Sequence, residues 1–132
     1  MEVLGEIKIL VEELNRMAGT PDLARRIEIG DKLATYNWNL AELEAETHED
    51  ANNTEYEYKL SVSRHMMKGV GPATVRESAA KDKFSDLYKL TVQKQNLLKR
   101  LTLLRQQTNI VIEQNRQTVA ALRSEYRQTH GQ

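Results

Sequence analysis

The chain has 132 residues, enough for one domain, with 39% hydrophobic but only 5% aromatic residues and no net charge. Six glycines and two prolines are too few for an all-β fold, and the absence of cysteine excludes disulfides and thiolate metal sites. No apolar run approaches the roughly 20 residues that span a bilayer. No basic-then-apolar leader pattern stands at the N-terminus, so no signal peptide and no membrane association are expected, and the expected location is the cytoplasm.

Val3, Ile7, Leu10, Leu14 and Met17 recur at alternating steps of four and three, which predicts a short helix over 2–18. Gly19 suits its C-terminal end. Thr20 is expected to cap the next helix, with Pro21 in its first turn. That second helix is predicted over 21–68, with a seam of Leu23, Ile27, Leu33, Tyr36, Leu40, Leu43, Thr47, Ala51, Thr54, Tyr58, Val62 and His65. Gly30 interrupts it at a cost of about 1 kcal/mol relative to alanine. Asn52-Asn53-Thr54 is weak in helix propensity and predicts a kink or a frayed turn.

Gly69-Val70-Gly71-Pro72 is the strongest break and predicts a turn over 69–72. A third helix is predicted over 73–127, followed by a tail over 128–132 that holds His130. Its apolar positions include Phe84, Leu87, Leu90, Leu97, Leu98, Leu101, Leu104, Ile112 and Val119. The expected fold is all-α: an elongated antiparallel hairpin of two long helices, with the short N-terminal helix packed at the open end.

Charge supports the hairpin. Up to Met66 there are fourteen acids and seven bases; beyond it there are five acids and twelve bases. With the turn centred on Val70–Gly71, Glu42–Glu57, which holds seven acids and no base, lies alongside Phe84–Lys99 with Lys89, Lys94 and Lys99. Exposed pairs contribute only about 0–1 kcal/mol each, so they select register more than they stabilise. A two-helix arm has a thin core, so self-association as a homo-oligomer, or a protein partner, is expected.

Gly69-Val70-Gly71-Pro72-Ala73-Thr74 resembles the hairpin of the helix-hairpin-helix DNA-binding family, in which a Gly-hydrophobic-Gly turn offers backbone N–H groups to phosphate. Lys68 stands where that family usually has Pro, and Val75 where it usually has Ala. The resemblance implies phosphate contact through Gly69 and Gly71, and the bases near them in sequence, Lys68, Arg76, Lys81 and Lys83, make the loop chemically fit for it; the other reading is a plain helix-helix turn. Arg105, Arg116, Arg123 and Arg127 lie past the acidic stretch and are the stronger backbone-tracking candidates on the third helix, against a solvated face.

Trp38, Tyr56, Leu98 and Ile112 are the candidate contacts with a partner or a second copy. Asn115 falls near the seam, where a buried amide fixes register in coiled coils. His48 beside Glu44, Glu49 and Asp50 reads as acidic surface rather than a metal site, because ligands must converge. No nucleophile–base set, P-loop or dinucleotide fingerprint occurs, so no enzyme activity and no cofactor are expected.

From Lys32 to Gln128 the chain resembles a class of short helical proteins of tailed bacteriophages. The carrying segments are Lys32-Leu33-Ala34-Thr35-Tyr36-Asn37-Trp38-Asn39-Leu40-Ala41-Glu42, Glu55-Tyr56-Glu57-Tyr58-Lys59, and the leucine-spaced helix ending Leu122-Arg123-Ser124-Glu125-Tyr126. The resemblance supplies no catalytic residue and implies the host-cell cytoplasm; because the hairpin itself accounts for the charge pattern, the expected function is a non-enzymatic protein that docks to a partner in phage DNA metabolism or host interference. The role that the resemblance itself favours, nucleic-acid binding as a replication or recombination accessory, is the alternative.

Overall fold

The computed structural model describes residues 2–130. The chain is all-helical: α1 (Glu2–Arg16), α2 (Leu23–Lys68), α3 (Ala73–Lys83) and α4 (Ser85–His130), with no strand among the described residues. Residues 128–130, expected in the tail, continue α4, while 131 and 132 lie outside the described residues. The chain divides into two compact units, one of Met1–Glu42 with Thr102–Gln132 and one of Leu43–Leu101.

The first unit is a three-helix assembly. The periodic face of α1 buries Ile7, Leu10 and Leu14. The helix ends at a turn in which Gly19 takes a φ of 81° and Thr20 N–H donates to the Met17 carbonyl at 2.8 Å. Only glycine adopts that backbone without strain. Asp22, not Thr20, caps α2: its carboxylate accepts the Arg25 N–H at 3.1 Å, and Pro21 stays outside the helix. An anionic acceptor there satisfies an unpaired helix donor and meets the positive end of the helix dipole.

From α2 this unit buries Ile29, Leu33 and Leu40, and from α4 Thr108, Ile112, Asn115 and Val119. Burial of each large aliphatic side chain is worth about 1.5–3 kcal/mol. The expected seam holds from Leu33 on, but at the start of α2 it is Arg26 and Ile29 that are buried, while Leu23 and Ile27 are half-buried. A charged residue takes a seam position because neutral acceptors wait there, the Met17 carbonyl at 3.1 Å and Asn115 at 3.5 Å.

The second unit pairs α2 with α4 antiparallel, with α3 alongside. Lys94 Nζ donates to Asp50 Oδ1 at 3.0 Å and to Thr54 Oγ1 at 2.9 Å; the Tyr58 and Tyr88 rings lie 5.4 Å apart, and His65 meets Phe84 edge-on at 6.0 Å. Its buried residues are Thr47, Ala51, Thr54, Ala80, Thr91 and Leu101, so only one large apolar side chain among them is enclosed. Thr54 and Thr91 tolerate burial because each hydroxyl donates to the carbonyl four residues back, at 2.9 and 3.0 Å.

Two local expectations are corrected. Asn52-Asn53-Thr54 is continuous helix; Asn52 bonds His48 within its own helix at 3.3 Å, and Thr54 is held as above. The stretch expected as one helix over 73–127 is two, α3 and α4, parted at Phe84 with φ −105° and ψ 24°. Helical hydrogen bonds reach Phe84 from both sides, 3.1 Å to the Ala80 carbonyl and 3.0 Å from Tyr88, so the break is a one-residue swing of ψ.

Candidate functional site

The glycine turn closes on itself. Gly69 N–H donates to the Met66 carbonyl at 3.2 Å, and Gly71 has a φ of 104°. Arg76 reaches back from α3, donating Nη1 to the same Met66 carbonyl at 3.1 Å. Its Cγ and Cδ lie 3.0 and 3.1 Å from where a Cβ on Gly69 would sit, so the absent side chain is what lets the arginine stem cross the turn. Arg76 thus satisfies the C-terminus of α2. Lys81 pairs with Glu77 at 2.8 Å, which raises the lysine pKa and lowers that of the glutamate. Lys83 lies 5.7 Å above the Phe84 ring, and Lys68 stands exposed at the end of α2. Lys68, Gly69, Gly71 and Arg76 stand at the turn, whereas Lys81 and Lys83 sit in the last turn of α3, at its far end, with partners of their own in Glu77 and Phe84.

The first unit contains a tighter polar constellation. Asn115 is buried and donates Nδ2 to the Arg26 carbonyl at 2.8 Å; Arg26 is 8% exposed, with its Nε buried and unpartnered. A Cβ on Gly30 would meet Asn115 Nδ2 at 3.0 Å. Gly30 sits one turn beyond Arg26, so its bare backbone opens the way to that carbonyl. Beside this cluster runs a groove of about 330 Å³, lined among others by Arg26, Gly30, Asp31, Asn115, Arg116 and Arg123. Arg116 is held by Glu113 at 2.6 Å.

Arg25, next along α2, ties α2 to α1. Its guanidinium donates Nε and Nη2 to the two carboxylate oxygens of Glu13, the latter at 2.6 Å, and pairs with Glu28 at 3.1 Å. The hydrogen bonds from Arg25 hold the Glu13 carboxyl below its ordinary value of 4.5 and raise the arginine. Glu28 is lowered chiefly by Lys32 and then by Arg25. A depressed carboxyl gives stability that is present above its unfolded pKa and lost as pH falls through the folded one. Glu13→Gln is therefore expected to lower the thermal midpoint at pH 7, and the gap to the parent should close as pH falls below 4.5. Thermal melts of both proteins by circular dichroism at pH 7 and pH 3 check this; an equal gap at both pH values would refute it.

The candidate contact residues divide. Trp38 is 68% and Tyr56 65% exposed. The Trp38 indole N–H donates to Glu42 at 3.0 Å, and its ring borders a second groove with Asn37, Arg105, Asn109, Ile112 and Arg116. Leu98 is half-buried, facing in with Thr91 and Leu101. Ile112 is 3% exposed, so its own three-helix unit already covers it and leaves little for a partner. Leu90 and Leu97, read from the sequence as apolar positions of the third helix, are exposed on α4; the exposed apolar residues of α4 that sequence reasoning passed over are Leu103 and Ile110. Their spacing of seven was the available signal, because it sets them on one line of the helix, apart from the buried seam.

No three His, Asp or Glu side chains converge as a metal site among the described residues, and no described helix is long and apolar enough to cross a membrane. The class that fold and surfaces define is an all-helical protein with exposed apolar and basic faces. Comparison with protein-family models, curated proteins and solved structures finds no match to this chain.

Proposed function

We propose that the chain is a non-enzymatic helical interaction protein, an elongated antiparallel hairpin that self-associates and docks to a protein partner. The observation that carries this reading is the imbalance within the 43–101 unit. It buries threonines, alanines and a single leucine, yet leaves Tyr56, Tyr88, Leu90 and Leu97 between 40% and 65% exposed. Helices that keep apolar side chains outside a thin core gain stability by covering them with another helix. The phage-protein resemblance points to a partner in phage DNA metabolism or host interference, in the host cytoplasm. The alternative, phosphate contact by a nucleic-acid accessory protein through the glycine turn, has less support because Arg76 is already engaged with the Met66 carbonyl.

Size-exclusion chromatography with light scattering, run over a range of concentrations, tests self-association. The parent chain is expected to exceed the mass of one chain. Leu90→Glu/Leu97→Glu is expected to return it to one chain while helicity is retained, because neither leucine is buried. A parent that stays at the mass of one chain at every concentration would remove self-association. A double variant that keeps the larger mass would move the contact elsewhere.

A further inference from the structure

Arg26 is nine-tenths buried, yet it meets no carboxylate among the described residues. Its acceptors are the Met17 carbonyl at 3.1 Å and the Asn115 side-chain oxygen at a long 3.5 Å, and its Nε has none. A buried guanidinium with only neutral, incomplete partners is costly, and an adjacent anion is the usual remedy. The groove beside it supplies room for one. Arg116 and Arg123 line the same groove from α4, seven residues or about two helical turns apart, and Asp31 is the one acid in its lining. Arg116 is held only by exposed Glu113, one turn away on its own helix, and such pairs are weak enough to exchange for a better anion.

We infer that this groove, walled by Arg26, Arg116 and Arg123, binds a phosphoryl group. Arginine suits this ligand because its planar fork of N–H donors matches phosphate oxygens, and charge-assisted bonds are the strong ones. The volume of about 330 Å³ lies at the low end of small-molecule sites, enough for a phosphate with part of what it is esterified to. Arg116 also borders the groove in which Trp38 stands exposed, so a base carried by the phosphate would have a stacking surface within reach. This site is separate from the docking surface of Leu90 and Leu97, and its failure would leave that reading intact.

The test is calorimetric titration of the full chain with pyrophosphate at low ionic strength. Binding is expected, and Arg116→Gln/Arg123→Gln should weaken it by about tenfold or more. Lys99→Gln/Arg100→Gln removes the same charge from exposed positions outside the groove and should weaken it by less than about twofold. All four residues are exposed, so folding is expected to survive, and circular dichroism of each variant confirms it. A second arm uses a single-stranded oligothymidylate of about ten nucleotides, with the fluorescence of Trp38, the chain's one tryptophan, as readout. Quenching that is lost with Arg116 and Arg123 identifies a strand backbone as the source of the phosphate. Pyrophosphate binding without quenching identifies a free phosphate compound. No binding of either probe at millimolar concentration, or equal weakening by both double variants, overturns the site.

Discussion

Leu33→Ala is expected to destabilise the three-helix unit by about 2–5 kcal/mol, whereas Leu97→Ala should change stability by less than about 0.5 kcal/mol in the unassociated chain. Leu33 has no exposed surface, and neither does Ile29 one turn before it; Leu40 is nearly as enclosed. Truncation removes the transfer free energy of three carbons and leaves a cavity that helices packed on two other sides cannot fill. Leu97 is 42% exposed and leaves no cavity when shortened. Trp38 belongs to the same unit as Leu33, so its fluorescence during urea unfolding reports that unit. The comparison must be made at one protein concentration, because association would add to apparent stability. A Leu33→Ala loss below about 0.5 kcal/mol would mean that the side chain is not enclosed as described.

The contrast between these leucines was partly legible in the sequence. Steps of three and four from Leu33 through Leu40, Thr47, Ala51 and Thr54 identify the buried line of α2, and the same rule picks out Ile7, Leu10 and Leu14 in α1. It failed at Arg26, because periodicity reads apolar character and has no means of seeing a carbonyl at Met17 and an amide at Asn115 waiting for a guanidinium. The second apolar line on α4, Leu103 and Ile110, was hidden by the better-filled line of Leu101, Leu104 and Ile112.

The sites divide in the same way. That Lys68 and Arg76 flank the glycine turn follows from adjacency in the chain, and α3 carries Lys81 and Lys83 away from it. That Arg76 turns back to cap α2 follows from where α3 begins, which no local pattern contains. Phe84 parts α3 from α4 without glycine or proline, so nothing in composition marks it. Arg116 and Arg123 stand out as bases beyond the acidic stretch. Their convergence with Arg26 depends on pairing between residues 89 and more positions apart, which only the packed helices reveal.

The sharpest of those long-range dependencies concerns Gly30. In an isolated helix, Gly30→Ala would gain about 1 kcal/mol from propensity alone. Here the new Cβ would stand 3.0 Å from Asn115 Nδ2, the atom that donates to the Arg26 carbonyl at 2.8 Å. Displacing that amide leaves a buried donor without its acceptor, at about 1–3 kcal/mol. Gly30→Ala is therefore expected to be destabilising by up to about 2 kcal/mol in the parent chain. With Asn115→Ala already present the obstacle is gone, and the same substitution should stabilise by about 1 kcal/mol. Urea unfolding of the four proteins closes the cycle, with an expected coupling of about 1–3 kcal/mol between positions 30 and 115. Equal effects of Gly30→Ala in both backgrounds would show that the Asn115 amide is not bound to α2. A reversal of sign would establish that the glycine, a defect by helix propensity, is the opening through which a buried amide sets the register of α2 against α4.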